Sequence, residues 1–255
     1  MEYKVCDHIR TRASLAVLVL DDYTGRVLKD SGILVSVEGA ARPVRKSEGY
    51  YVFLNLSQRM AALTVKSDRY APERRLVDLE ALGGRDPVLK IRLKPSRRYP
   101  LPQGTTSLLG RAEPGSEVRI LCSHTQKHFR LLYDYERDRD QKEIQIFNPE
   151  KSDLDGKILS INNKGQELVH VQSTKDRENN VYIMDKALEK DYKKVGTKII
   201  PVFMTKADEL GEYFIPLWNL GDEDVGCQCE MWGSSTVTKA ITLEIGKMNQ
   251  LDFIG

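Results

Sequence analysis

The feature that most constrains this chain is a succession of short apolar segments in which every second residue is apolar. Ala61 to Lys66 and Val88 to Leu93 show this alternation, and turn residues such as Asp21 to Gly25 separate such segments. Alternation with period two places every second side chain on one face, as in a strand with one buried face. Strands this short, with no long helical period between them, predict an all-β chain built from β-sandwiches.

A proline-rich segment between Lys94 and Gly104 is the clearest domain boundary. Its three prolines cannot continue a central strand, and they stiffen the chain into an extended conformer. The boundary predicts an N-terminal arm over residues 1–10, a first sandwich over 11–95, a linker over 96–106 and a second sandwich over 107–255.

Beyond this linker the pattern of the first module recurs. Gly49 to Phe53, followed by Asn55, has a counterpart in Gly211 to Ile215, followed by Asn219. Such self-similarity predicts two copies of one unit, of which the second is split by an insertion.

The insertion is predicted over about residues 124–205. It contains further short strand-like segments, with turn signals such as Asp153 to Gly156 between them. A small β-barrel fits these segments because a closed barrel leaves no unpaired edge, and a bent β-hairpin fits almost as well. One helix is predicted over 186–194, with Asp185 as its N-cap.

Charge is distributed unevenly along the chain, although the net charge is only +2. Residues 1–111 have a net charge of +8 and the remainder a net charge of −6. Such a dipolar chain is expected of a subunit packed between unlike neighbours. The basic residues are not interleaved with exposed aromatic residues, so no nucleic-acid groove is predicted.

No membrane insertion is predicted, because the longest apolar run, Leu15 to Leu20, is far shorter than the roughly 20 residues of a membrane-spanning helix. Met1 to His8 shows no apolar signal-peptide region. The predicted location is the cytoplasm, with export only as part of an assembled particle.

The four cysteines predict reduced thiols in or near the core. Cys227 and Cys229 are two residues apart and therefore share one face of a strand. Zinc is the alternative, with His124 and His128 as further ligands, but paired cysteines of zinc sites are usually separated by two to four residues. No metal ligand and no cofactor is predicted. The cysteines are Cys6, Cys122, Cys227 and Cys229.

The sequence contains no convincing catalytic constellation. Two aspartate pairs, Asp138 with Asp140 and Asp153 with Asp155, resemble paired carboxylates, but they lie in charged, turn-like segments. None of the four histidines lies in a known hydrolase motif, and there is no phosphate-binding glycine loop. The chain is therefore predicted not to be an enzyme, with no catalytic and no cofactor-binding residue.

Three aromatic residues, Tyr213, Trp218 and Trp232, keep an alternative function open. Together they can form a stacking platform for a sugar, which predicts a β-sandwich recognition module for carbohydrate or a cell-surface ligand. Positions in the core and at its rim explain the same residues more simply.

Four segments of the first module resemble the transthyretin-like family, also called the carboxypeptidase regulatory-like domain. They are similar to its "D-x-x-T-G" turn, a following strand, its "D-G-x-Y-x-F-x-x-L" motif and a corner, although Glu48 replaces the commoner aspartate. The resemblance covers residues 11–95 and, more weakly, 107–125 joined to 206–255. It implies Ig/transthyretin-like sandwiches that serve as spacers, adaptors or assembly domains. The segments are Asp22-Tyr23-Thr24-Gly25, Gly32 to Val37, Glu48 to Leu56 and Ser67 to Tyr70.

The linker resembles proteins encoded beside phage-tail-like contractile injection systems. The similarity lies in Leu93 to Ser96, Tyr99 to Pro102 and Gly104 to Thr106. It implies a structural or adaptor subunit whose partners are other protein subunits of the assembly, with a homo-oligomer as a further possibility.

Overall fold

The computed structural model describes residues 12–83, 87–123, 129–137, 141–149, 151–162 and 166–254. These residues form nineteen β-strands and no α-helix, which confirms the predicted all-β class. The chain divides into two compact units, Met1–Leu93 and Lys94–Gly255.

The first unit is a sandwich of two sheets, with strand order β3-β4-β1-β7 in one and β2-β5-β6 in the other. Every second residue of β5 is buried, as alternation predicts. Two buried hydroxyl groups link the sheets: Tyr51 donates to the Ile33 carbonyl at 3.4 Å and Tyr70 donates to Asp21 at 3.0 Å. The strands are β1 (Ala13–Asp21), β2 (Leu34–Val37), β3 (Val44–Arg45), β4 (Tyr50–Leu54), β5 (Met60–Ser67), β6 (Tyr70–Asp78) and β7 (Val88–Leu93).

The second unit contains a three-stranded sheet, β16-β8-β19, and a nine-stranded sheet that includes β9-β17-β18. Residues from both sheets, among them Leu108, Ile120, Ile215 and Cys229, form one buried core. The strands outside the insertion are β8 (Ser107–Arg111), β9 (Glu117–Cys122), β16 (Glu212–Pro216), β17 (Val225–Trp232), β18 (Thr236–Leu243) and β19 (Met248–Gln250).

The two units have the same strand topology. In the first unit β4 pairs antiparallel with β1, which pairs parallel with β7. In the second unit β16 pairs antiparallel with β8, which pairs parallel with β19. The sheet β2-β5-β6 corresponds in the same way to β9-β17-β18. The strand order thus supports the predicted repeat, and the insertion follows β9 at the place of the connection between β2 and β4.

The local geometry explains why the repeated motif is recognisable. Gly49 and Gly211, which precede β4 and β16, have φ angles of 99° and 77°. Asn55 and Asn219, which follow these strands, have φ angles of 52° and 61°. Glycine and asparagine tolerate this left-handed region better than other residues, so the same residue types bracket the strand in both copies.

The insertion is a small closed barrel. Its strands follow the order β10-β11-β14-β13-β12-β15, and a bridge between Phe129 and Ile199 joins the two ends. It has a separate buried core, which includes Ile146, Leu159 and Val171. The structure therefore shows the barrel and not the alternative hairpin. The strands are β10 (Arg130–Leu131), β11 (Glu143–Phe147), β12 (Ile158–Asn162), β13 (Gln166–Asp176), β14 (Val181–Met184) and β15 (Lys198–Lys206).

The barrel and the second sandwich share strand β15. Its first half, up to Val202, pairs with β12 of the barrel, and its second half, from Val202, pairs with β9 of the sandwich. Trp218 lies between the two cores and packs edge-on against Phe129 and Phe203, with ring centroids 6.3 and 5.8 Å away. The predicted end of the insertion, at about residue 205, falls inside this shared strand.

The helix predicted over 186–194 is wrong, because the segment forms bends and turns. Two amide hydrogens that a helix would use are bound elsewhere: Glu189 N–H donates to Glu167 at 2.8 Å, and Tyr192 N–H donates to the Tyr135 carbonyl at 3.0 Å. Tyr192 is fully buried and donates its hydroxyl to Glu167 at 2.9 Å. Burial, and then the Glu167 carboxylate, raise the pKa of Tyr192, so this hydroxyl remains a donor.

Replacing Glu167 with glutamine is expected to lower the free energy of unfolding by about 1–2 kcal/mol. The two oxygens of Glu167 accept one hydrogen bond each, from the Tyr192 hydroxyl and from Glu189 N–H. Glutamine keeps only one of these oxygens and places an NH2 group at the other position, so one of the two donors loses its acceptor. Denaturation followed by circular dichroism measures the change. In the control, Glu143→Gln, an exposed strand glutamate loses its ion pair with Lys175, which should cost less than about 0.5 kcal/mol. Equal costs for both substitutions would contradict the role given to Glu167.

Candidate functional site: grooves on the outer sheet faces

Each unit has a groove on the outer face of the corresponding sheet. In the first unit the groove has a volume of about 490 Å³ and lies on β2-β5-β6. Small residues such as Ser36, Ala62 and Thr64 line its middle, whereas Leu34 and Leu76 lie on the same face and are 62% and 65% exposed. Alternation in β5 produces this arrangement, since Ala61, Leu63 and Val65 turn into the core. Glu38, Lys66, Arg74 and Arg75 also line this groove, so its two exposed leucines are single side chains and not a contiguous apolar patch.

The corresponding groove of the second unit, here called the junction groove, measures about 590 Å³ and is lined by both the sandwich and the barrel. Val202, Leu121, Gln228 and Ala240 are direct cross-strand neighbours on β15, β9, β17 and β18. Residues directly opposite one another point to the same face, so these four form one row across the groove. Ser160 on β12 is only 4% exposed although it lies on the outer face, which shows how far the sheet curves there.

The junction groove is uncharged. None of its fifteen described lining residues is Asp, Glu, Lys, Arg or His, although charged residues make up 30% of the chain. The polar groups are amides and hydroxyls; for example, Gln166 donates to the Ser160 hydroxyl at 2.9 Å. A surface of amides, hydroxyls and aliphatic groups favours a neutral partner, because a charged group would lose hydration without gaining an ion pair.

Cysteines 122, 227 and 229 are buried and free. Cys227 and Cys229 occupy the same inward face of β17, as their spacing predicts. Burial raises the pKa of Cys229 to about 12. The histidines proposed for the zinc alternative, His124 and His128, lie outside the described residues, as does Cys6. In the described parts of the chain, no three His, Cys, Asp or Glu side chains are grouped so as to hold a metal ion.

The aspartate pair that the structure describes organises a turn before β12. Asp153 accepts the Asp155 N–H at 3.1 Å, and Asp155 accepts the Thr174 hydroxyl at 2.7 Å. Asp153 therefore makes a local hydrogen bond typical of turns, and Asp155 joins the turn to strand β13. The other pair, Asp138 and Asp140, lies outside the described residues.

The three aromatic residues of the sugar-binding alternative have different environments. Tyr213 is buried, packs against Phe253 and donates its hydroxyl to the Leu251 carbonyl. Trp218 fills the space between the two cores of the second unit. Trp232 is 45% exposed, with the Arg119 guanidinium 4.7 Å from its ring centroid. Two of the three rings are thus engaged in packing, and the stacking platform stays a prediction without support from the described geometry.

Sequence reasoning missed both grooves and the role of Asp21. This buried carboxylate accepts the N–H groups of Tyr23 and Thr24 at 2.8 and 3.1 Å, besides the Tyr70 hydroxyl. The "D-x-x-T-G" spacing begins at Asp21 and could have identified it. For the junction groove, the available signal was the uncharged outward face of β18, of which Ala240 and Thr242 line the groove.

The described part of the chain contains no helix long and apolar enough to cross a membrane. Comparison with protein-family models, with curated proteins and with solved structures finds no match for this chain.

Proposed function

We propose that this chain is a non-enzymatic structural or adaptor subunit that binds protein neighbours, in a cytoplasmically assembled particle of the phage-tail-like contractile injection type. The uncharged junction groove is the observation that supports a protein neighbour. The type of particle rests on the resemblance of the linker and of the first module.

A protein segment suits the junction groove for two reasons. Gln228, Asn162 and Gln166 offer amide groups that can pair with peptide groups, and Leu121 and Val202 offer aliphatic contact beside them. None of the described lining residues is aromatic, and aromatic rings are what a sugar would stack on. The groove also spans the sandwich and the barrel of the second unit, so one neighbour would contact both.

A charge placed in the junction groove tests this function. Ala240→Lys introduces an ammonium group into the row formed with Gln228 and Leu121, and docking of a neutral segment would then leave that charge desolvated. We expect at least a tenfold loss of incorporation, with a melting temperature near that of the wild type because Ala240 is exposed. Thr238→Lys is the matched control: it lies on the same strand and the same outward face, but outside the groove.

Incorporation is measured by co-expressing the chain with the sheath, tube and baseplate proteins whose genes the proposal predicts beside its own, sedimenting the particles and quantifying the bound chain. Equal incorporation of Ala240→Lys and wild type would exclude the groove as the docking surface. Absence of sheath, tube and baseplate genes beside this one would contradict the particle assignment itself.

A further inference from the structure

Two buried thiols meet where the barrel leaves the second sandwich. The Sγ atoms of Cys122 and Cys227 are 2.9 Å apart, and the residues are 4% and 5% exposed. Both side chains belong to the core of the second sandwich, so an oxidant reaches the thiols only when the structure opens locally. Cys122 is the last residue of β9, and the barrel insertion begins immediately after Ser123.

The strand register suits a covalent bond between these thiols. Cys122 and Cys227 are direct partners in the antiparallel pairing of β9 with β17. The adjacent pair, Ser123 with Gly226, is the hydrogen-bonded one, since Ser123 N–H donates to the Gly226 carbonyl at 2.9 Å. Cys122 and Cys227 therefore form a non-hydrogen-bonded pair, whose Cα atoms lie about 4.5 Å apart, within the range that disulfides span.

The third described cysteine has no cysteine opposite it in the sheet. Cys229 lies on the same face of β17, two residues further on, but it is fully buried and its partner on β9 is Ile120. The pairing is thus specific to Cys122 and Cys227.

We infer that Cys122 and Cys227 form an intramolecular disulfide when the protein meets a two-electron thiol oxidant such as diamide or hydrogen peroxide. Two S–H bonds break and one S–S bond forms. The two electrons and two protons pass to the oxidant, which gives the hydrazine from diamide or two water molecules from peroxide. The sulfur atoms need to approach by less than about 1 Å, and the pairing of β9 with β17 is otherwise kept.

The disulfide has a structural consequence because it joins positions 105 residues apart. The loop that the disulfide closes contains the whole barrel. Oxidation therefore links β9 to β17 covalently and lowers the conformational entropy of the unfolded chain. For a chain of this size we expect the melting temperature to rise by about 5–15 °C. The hydrogen bond with Cys122, followed by burial, raises the pKa of Cys227, so little thiolate is present and oxidation should be slower than that of glutathione.

The test compares two samples of the full-length protein, one fully reduced and one oxidised with diamide. Glutathione is added to the oxidised sample, and the treatment ends when that glutathione is oxidised. The oxidised monomer should lose the mass of two hydrogen atoms. Peptide mapping without reductant should link the peptides of Cys122 and Cys227. Cys122→Ser and Cys227→Ser should each abolish the link and the gain in melting temperature, whereas Cys229→Ser, the control on the same strand face, should keep both.

Unlinked Cys122 and Cys227 peptides from the oxidised wild-type protein would overturn the inference, whatever the serine variants do. A link from either cysteine to Cys6 or to a second chain would overturn it as well. The inference does not depend on the proposed function, because all these measurements use the purified chain alone.

Discussion

Excision of the barrel should leave a folded two-sandwich protein that no longer enters the proposed assembly. The cut ends are neighbours: Leu121 pairs with Val202, which places Ser123 opposite Ile200. A short Gly/Asn turn in place of residues 124–199 would therefore join β9 to the retained half of β15 as a hairpin. Closing so short a loop costs little, and the corresponding sheet of the first unit exists without a barrel.

Circular dichroism and urea unfolding measure whether the excised protein folds, and particle sedimentation measures incorporation. We expect a β spectrum and one cooperative transition. Incorporation should be lost, because Ser160, Asn162 and Gln166 leave the junction groove with the barrel.

A longer excision, of residues 124–205, is the matched control. It also removes the part of β15 that pairs with β9, together with Phe203 from the sandwich core. Loss of a buried phenylalanine alone costs about 3–5 kcal/mol, so this variant should be much less stable than the shorter excision. Unfolding of the shorter variant would show that the barrel belongs to the sandwich core. A folded short variant that still assembles would assign neighbour binding to the first unit or the linker.

Gly110→Ala should lower the free energy of unfolding by about 3 kcal/mol. A Cβ atom at Gly110 would lie 1.8 Å from the Leu251 carbonyl oxygen and 3.0 Å from the Tyr213 hydroxyl. Neither atom can move away freely. Leu251 N–H donates to the Leu109 carbonyl at 2.9 Å, and the Tyr213 hydroxyl donates to the Leu251 carbonyl. The methyl group would therefore force the chain after β19 away from β8.

Gly226→Ala is the control for this substitution. Gly226 is also a strand glycine of the second unit, but the nearest atom to an added Cβ is the Ser123 hydroxyl oxygen, 3.9 Å away. Alanine should leave stability unchanged or raise it by up to about 1 kcal/mol, since it reduces the freedom of the unfolded chain. Urea unfolding at equal protein concentration compares the two variants. Equal stability of Gly110→Ala and wild type would mean that β8 and the segment after β19 separate at little cost.

The all-β class and the repeat could be predicted because both depend on local residue patterns. Period-two alternation follows from the geometry of one strand and its single buried face. The Gly49 and Asn55 positions, and their counterparts Gly211 and Asn219, follow from a backbone conformation that few residue types adopt. Such signals survive in a sequence regardless of which strand lies beside which.

Tertiary structure decided the features that depend on strand neighbours. The helical pattern over 186–194 was overridden because Glu167 and the Tyr135 carbonyl, distant in sequence, accept the amide hydrogens of Glu189 and Tyr192. In the first copy Val17 lies opposite the motif tyrosine Tyr51, and in the second copy Gly110 lies opposite Tyr213. Only glycine fits at position 110, because the Leu251 carbonyl comes too close for any side chain.

The junction groove and the thiol pair are likewise products of register. Alternation shows that Gln228 and Ala240 point away from the core. It does not show that the barrel, joined through the shared strand β15, lines the same groove as these two residues. It shows that Cys227 faces the core, but not that Cys122 is its direct partner. Cross-strand pairing joins residues a hundred positions apart through backbone hydrogen bonds that every residue type can make, so the sequence alone contains no local record of it.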